Sequence, residues 1–179
     1  MSPDPAGEEP EVPESERTAA LAERVAAATA RTGRTVAVAE SLTAGRIAAA
    51  LGAAPDSGTW LRGGVVAYAA EVKHTVLGVP DVPVVTATAA GTMATGVRGL
   101  LGADVAVAVT GVGGPDPQDG EPAGSVWFGV TAGDTAATCH HVFDGDPVEV
   151  LEQTVTRALE LLRDAVATGD AEPADRVSE

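Results

Sequence analysis

Three short stretches of this chain carry side chains able to do chemistry together. The first is Glu40-Ser-Leu-Thr-Ala-Gly45. It follows an apolar, β-branched run from Val36 to Ala39 and precedes an alanine-rich stretch of helical character from about Thr43 to Leu51. A strand that ends in a polar turn and feeds a helix puts its last side chains at the carboxyl end of a sheet, where open α/β sheets bind ligands. The turn also aims free helix N–H groups at whatever sits there, which suits an anion or a developing oxyanion. Ser41 would stand at that mouth, with Glu40 beside it and Thr43 one step inside. Capping the helix is the commoner job for Ser41 or Thr43, and the turn alone leaves both roles open.

The second stretch is Tyr68 to Lys73, where an apolar strand runs out into a helix. Lys73 lies one helical turn plus one residue after Tyr68, so both can lean over the crevice that Ser41 faces. A lysine desolvated there, near a phenol, can lose its proton close to neutral pH and accept one from Ser41. Such a Ser–Lys pair suffices for acyl transfer without a histidine. Taken singly, Lys73 reads as a solvated helix position and Tyr68 as a half-buried strand end. The third stretch, Thr110-Gly-Val-Gly-Gly-Pro115, closes another apolar strand. Its glycines let backbone N–H groups approach an anion. It lacks the Gly-Lys-Ser/Thr of a Walker loop and the following helix of a dinucleotide fingerprint, and a lone glycine loop is more often only a turn.

No metal or cofactor is expected. His140 and His141 are adjacent on a strand and point to opposite faces, while Cys139 and His141 share a face without a second ligand pair. Cys139, the single cysteine, reads as a small buried residue.

The elements that must hold these stretches follow from periodicity. Residues 18–32 have helical spacing closed by Gly33, and 64–68 form a strand followed by a short helix ended by Gly78. Residues 81–85 are a connection, and Thr86 caps a helix to about Leu101 whose Gly91, Gly96 and Gly99 point to close packing. Strands are expected at 104–110, 125–132 and 135–143, the last two joined as a hairpin at Gly133-Asp134, before a long helix at 147–166. Strand–helix alternation followed by a hairpin predicts a three-layer α/β/α domain with a mixed, mostly parallel sheet over residues 18–167. It is flanked by a disordered acidic, proline-rich arm at 1–17 and an acidic mobile tail at 168–179.

Composition narrows the function. The chain has 179 residues and a net charge of −15, from 26 acidic and 11 basic side chains. That argues against a phosphate-neutralising nucleic-acid face, which rests on clustered Lys and Arg. Hydrophobic residues make up 45% but aromatics only 3%, so Ala, Val and Leu must fill the core. One cysteine, no apolar run near the ~18 residues of a membrane helix and no basic leader predict a cytoplasmic protein without a membrane partner.

Together the stretches resemble the CinA C-terminal domain family, whose stand-alone members are nicotinamide-nucleotide amidases (PncC). The family pattern is close to ESCTGG, GGVVxYSNExK, AVTGIAGP, PVGTVYIG and FxGDR. Here these stand, in order, as 40–45, Gly63 to Lys73, Ala108 to Pro115, Pro122 to Gly129 and Phe143 to Pro147. The resemblance covers about residues 18–166. It implies hydrolysis of the carboxamide of nicotinamide mononucleotide to nicotinate mononucleotide and ammonia. Ser41 would be the nucleophile, Lys73 its base and Tyr68 an assisting phenol. Glu40, Thr43, Ala44 and Gly45 would line the substrate, with backbone N–H groups of 43–45 as an oxyanion hole. Thr110, Gly111, Gly113 and Gly114 would hold the nucleotide. The resemblance further implies a homo-oligomer, a dimer above all. Larger members carry a molybdopterin-binding-like N-terminal domain, for which this chain has no room. The sequence departs from the pattern at Leu42, Ala44 and Ala70, and at Pro147 and Leu151, where the family has arginines. Proline and leucine cannot grip a phosphate bidentately, which leaves three readings open: Arg46, Arg62 or Arg157 compensates, the amidase takes a different, unphosphorylated substrate, or the chain is a non-catalytic nucleotide-binding or interaction module.

Overall fold

The alternation Val-Ala-Val-Ala sets how the two faces of the sheet are covered. In the computed structural model, which describes residues 12–172, the central strand is β1 (Val36–Glu40). Val36 and Val38 join Val105, Val107 and Val109 of β3 (Val105–Gly111) in one core, while Ala37 and Ala39 join Ala106 and Ala108 in another. The sheet is completed by β2 (Leu61–Val66), β4 (Ser125–Ala132) and β5 (Thr135–Val142) in the order β2-β1-β3-β4-β5. β1 pairs in parallel with β2 and β3, and the β3–β4 and β4–β5 pairs are antiparallel.

Three helices, α1 (Glu14–Thr32), α2 (Arg46–Gly52) and α6 (Pro147–Thr168), cover the valine face. The short α3 (Ser57–Trp60) adds Trp60 to that core. Each valine buried there contributes roughly 1.5–3 kcal/mol. The alanine face receives α4 (Ala70–Leu77) and α5 (Ala87–Leu101). Small side chains let α5 lie almost on the sheet: a Cβ at Gly129 of β4 would fall 2.1 Å from the Ala90 carbonyl oxygen. One at Gly96 would fall 2.2 Å from that of Leu77, so α4 and α5 are equally close. Gly99 meets nothing within 4 Å, and nothing in the structure explains it.

The three-layer α/β/α arrangement is as expected, with local differences. β2 spans Leu61–Val66 rather than 64–68, because its pairing follows β1 and stops where Glu40 meets Val66. Tyr68 therefore sits in the loop beyond the strand. α2 begins at Arg46 rather than Thr43, since Ala44 and Gly45 take left-handed φ of 48° and 96°. Part of the expected arm is helical: α1 starts at Glu14, whose carboxylate accepts a hydrogen bond from the Thr156 hydroxyl of α6. Residues 1–11 of the arm and 173–179 of the tail lie outside the described residues. The tail's first residues dock, with Ala171 buried and its N–H donating to Thr135 Oγ1 at 2.8 Å. No helix among the described residues is long and apolar enough to cross a membrane.

Candidate active site

The chain leaves β1 for β2 on one side of the sheet and returns to β3 on the other. The crevice between β1 and β3 is thus a topological switch point, where α/β sheets hold ligands. A cavity of about 430 Å³ opens there. Its walls come from the β1 end (Ser41, Leu42), the β2–α4 segment (Tyr68, Ala70, Lys73), Val84 and Val85, the β3 end and loop (Thr110 to Gly114, Asp116, Gln118), and the start of α6 (Pro147, Leu151). Another cavity, about 490 Å³, lies between α1 and α3; its polar side chains, Glu23, Thr29, Arg34, Asp56 and Thr59, surround no lysine or histidine.

Lys73 is the single lysine of the chain, yet it is only 2% exposed. Lysine is among the residues least often fully buried. From the first turn of α4 its side chain runs back toward the helix start, as helical side chains do. There Nζ donates to the carbonyl oxygens of Ala67 at 2.7 Å and Tyr68 at 3.3 Å. No carboxylate pairs with it among the described residues. Burial therefore pulls its pKa below the ordinary value of 10.5. A neutral amine has two N–H donors, enough for those two carbonyls, and one lone pair left to take a proton. The Tyr68 phenol does not supply this environment: it is 69% exposed at the rim, and only its backbone carbonyl touches the amine.

Ser41 follows β1 directly, lies 8% exposed on the cavity wall, and its hydroxyl makes no hydrogen bond among the described residues. Neither it nor Thr43 caps α2. The N-cap is Gly45, which has no side chain, and the carboxylate of Glu40 takes that role from the end of β1. Its Oε1 accepts from the Ile47 N–H at 2.9 Å and its Oε2 from the Ala48 N–H at 3.0 Å. A carboxylate against a helix N-terminus is stabilised by both the N–H groups and the dipole. Glu40, Thr43, Ala44 and Gly45 accordingly do not line the cavity. Glu40 is fully buried against α2, and Thr43 is fully buried with an Oγ1 that has no hydrogen-bond partner among the described residues. What the turn offers is backbone: the N–H groups of Leu42 and Thr43 find no acceptor among the described residues, whereas Ala44 N–H donates to the Ser41 carbonyl at 3.0 Å.

Thr110, Gly111, Gly113 and Gly114 all reach the cavity. Thr110 Oγ1 donates to the Val84 carbonyl at 2.7 Å and holds the 84–85 connection against the wall. The loop after β3 is pinned by Ser125, fully buried, whose hydroxyl lies 2.9 Å from Glu121 Oε2 and 2.7 Å from His140 Nε2. His140 in turn stacks on Trp127 at 4.5 Å. Asp116 and Gln118 are the polar wall residues that sequence reasoning missed; no motif marks them, because they reach the cavity through the loop's path. The scarcity of lysine was the signal left unread. Arg46 lies on another groove, Arg62 binds the Leu101 carbonyl, and Arg157 pairs with Glu160 at 3.2 Å. None of the three lines the cavity. No group of three or more potential metal ligands gathers among the described residues.

The family pattern of the CinA C-terminal domain matches residues 18–166. A CinA-like protein of Frankia casuarinae is 38% identical over 153 residues, covering 78% of this chain and 35% of that protein. One from Mycobacterium avium is 40% identical over 142 residues, covering 73% of this chain and 33% of that protein. The chain thus spans about a third of the length of these curated relatives. A crystal structure of a competence-damaged protein (CinA) superfamily member from Klebsiella pneumoniae superposes with a TM-score of 0.80 at 36% identity, covering 84% of this chain and 98% of that one. The competence/damage inducible protein CihA of Agrobacterium tumefaciens gives 0.76 at 31% identity, covering 93% and 99%. The chain belongs to the CinA C-terminal domain family.

Proposed function

We propose that this protein is a Ser–Lys amidase that hydrolyses the carboxamide of an N-ribosylated nicotinamide, with nicotinamide mononucleotide the form implied by the family resemblance. One observation carries the reading: the chain's single lysine is buried, without a counter-charge among the described residues, on the same cavity as a serine whose hydroxyl has no partner among them. Neutral Lys73 takes the proton of Ser41 Oγ as that oxygen attacks the carboxamide carbon. The negative charge that develops on the carboxamide oxygen meets the unpaired N–H group of Leu42 on the cavity wall; loss of one such donor typically costs about 3–4 kcal/mol. The Lys73 ammonium then protonates the departing nitrogen, which leaves as ammonia. Water, deprotonated by the same amine, cleaves the Ser41 ester to the carboxylate. The Tyr68 phenol stands at the rim, where it can steady the amide as the substrate enters.

The test is ammonia release from a panel of pyridine carboxamides. Wild type should release it and Ser41→Ala should not, with binding retained. Equal rates in both would remove Ser41 from the chemistry, and binding without any ammonia would make the protein a ligand-binding module. A cytoplasmic setting accompanies this reading.

A further inference from the structure

Part of the cavity wall is unfit for an anion. The first turn of α6 reaches it through Pro147, which has no N–H to give, and through Leu151. The remaining N–H groups of that helix start are already taken. Asp146 Oδ1 accepts from Val148 at 2.9 Å and Glu149 at 3.0 Å, while Glu149 Oε2 accepts from the Asp146 N–H at 2.7 Å. A phosphate arriving here would have to displace a carboxylate from its own cap, and another acidic residue, Asp116, lines the same cavity. The one cation among the described residues lining the cavity is Lys73, which the proposed reaction needs neutral. Asp116 and Gln118 instead suit sugar hydroxyls, which donate to a carboxylate and exchange hydrogen bonds with an amide. A ring bearing the positive charge of a pyridinium is also favoured by a nearby carboxylate.

We propose that this cavity selects the unphosphorylated nucleoside, an N-ribosyl pyridinium carboxamide, over its 5′-phosphate. The inference rests on the amidase reading and sharpens its substrate.

Ammonia release from nicotinamide riboside and from its mononucleotide, at one fixed salt concentration, tests it with wild type and Leu151→Arg. Wild type should show a kcat/KM about tenfold or more higher for the riboside, the scale of one charged hydrogen bond. Leu151→Arg should move that ratio toward the mononucleotide by about the same factor. Equal rates, or a wild-type preference for the mononucleotide, overturn the proposal. If neither compound yields ammonia, the amidase reading fails, and calorimetric binding to Ser41→Ala still decides selectivity. Tighter riboside binding supports it, whereas no riboside binding, or mononucleotide binding as tight or tighter, overturns it.

Discussion

Lys73 shows how one side chain can be costly to the fold and useful to the site. Burial depresses its pKa below 10.5, so in the pH range below the folded value the native state holds a charge that it disfavours. The unfolded chain binds the proton more tightly. Between the folded pKa and 10.5 the unfolded state therefore carries more protons, and stability rises with pH through that window. Below it the penalty is fully present. Lys73→Met, apolar and of similar length, should accordingly raise the thermal midpoint near neutral pH and lose that advantage as pH approaches 10.5. The same variant should lower kcat by a factor of about 100 or more if the amine is the general base. Calorimetric melts from pH 6 to 10 beside ammonia assays check both halves. A destabilised variant at neutral pH, or an unchanged rate, contradicts the account. In wild type, kcat should climb as pH passes through the depressed lysine pKa.

At the level of elements, the β1–α2 turn is held by a carboxylate from outside the turn itself. Glu40 reaches forward to the Ile47 and Ala48 N–H groups, and this fixes the start of α2 against the end of β1. Ala44 adds strain, since a left-handed φ of 48° costs a non-glycine residue on the order of 1 kcal/mol. The turn is therefore over-determined, with Ser41 as its first residue. Glu40→Ala should destabilise the fold by roughly 2–3 kcal/mol, because two N–H donors lose a charged partner in a buried setting. It should also lower turnover although the carboxylate never touches the cavity. Denaturant melts and the ammonia assay, run on the same preparation, check this; a variant as stable as wild type contradicts it. The Glu121–Ser125–His140 contacts do a similar job for the opposite wall, tying the loop after β3 to β5.

Across the whole molecule, what could be read from the sequence is what periodicity encodes. The alternation of valine and alanine in β1 and β3 announces strands covered on both faces, and the spacing of Val150, Leu151, Val155, Leu159 and Leu162 announces the last helix. Ser41 and Lys73 could be placed on one crevice because both follow parallel strands. The role of Glu40 is hidden in the sequence, since a carboxylate next to a candidate nucleophile looks like part of a substrate site, and only three-dimensional placement sends it to α2. The end of β2 is not legible in the sequence because Val65, Val66 and Ala67 continue an apolar run that β1 is too short to pair. Tyr68 keeps its place at the cavity, but its phenol stands at the rim and only its backbone carbonyl touches the amine. The sheet leaves two edges, β2 and β5, and Val66, Val76 and Leu100 stay about half exposed. Such edges and apolar side chains favour self-association. Sedimentation should give a mass of at least twice the 17.8 kDa chain; a monomer alone contradicts that expectation.

Because the chain has a single lysine, its side-chain amine can be followed without ambiguity. Titration of the Lys73 Cε and Nζ resonances by NMR, on protein labelled at lysine, measures whether the proposed base is available. A midpoint well below 10.5 that disappears in Lys73→Met is the predicted result. A midpoint at or above 10.5 would mean that the amine stays charged near neutral pH, and would contradict the proposed chemistry.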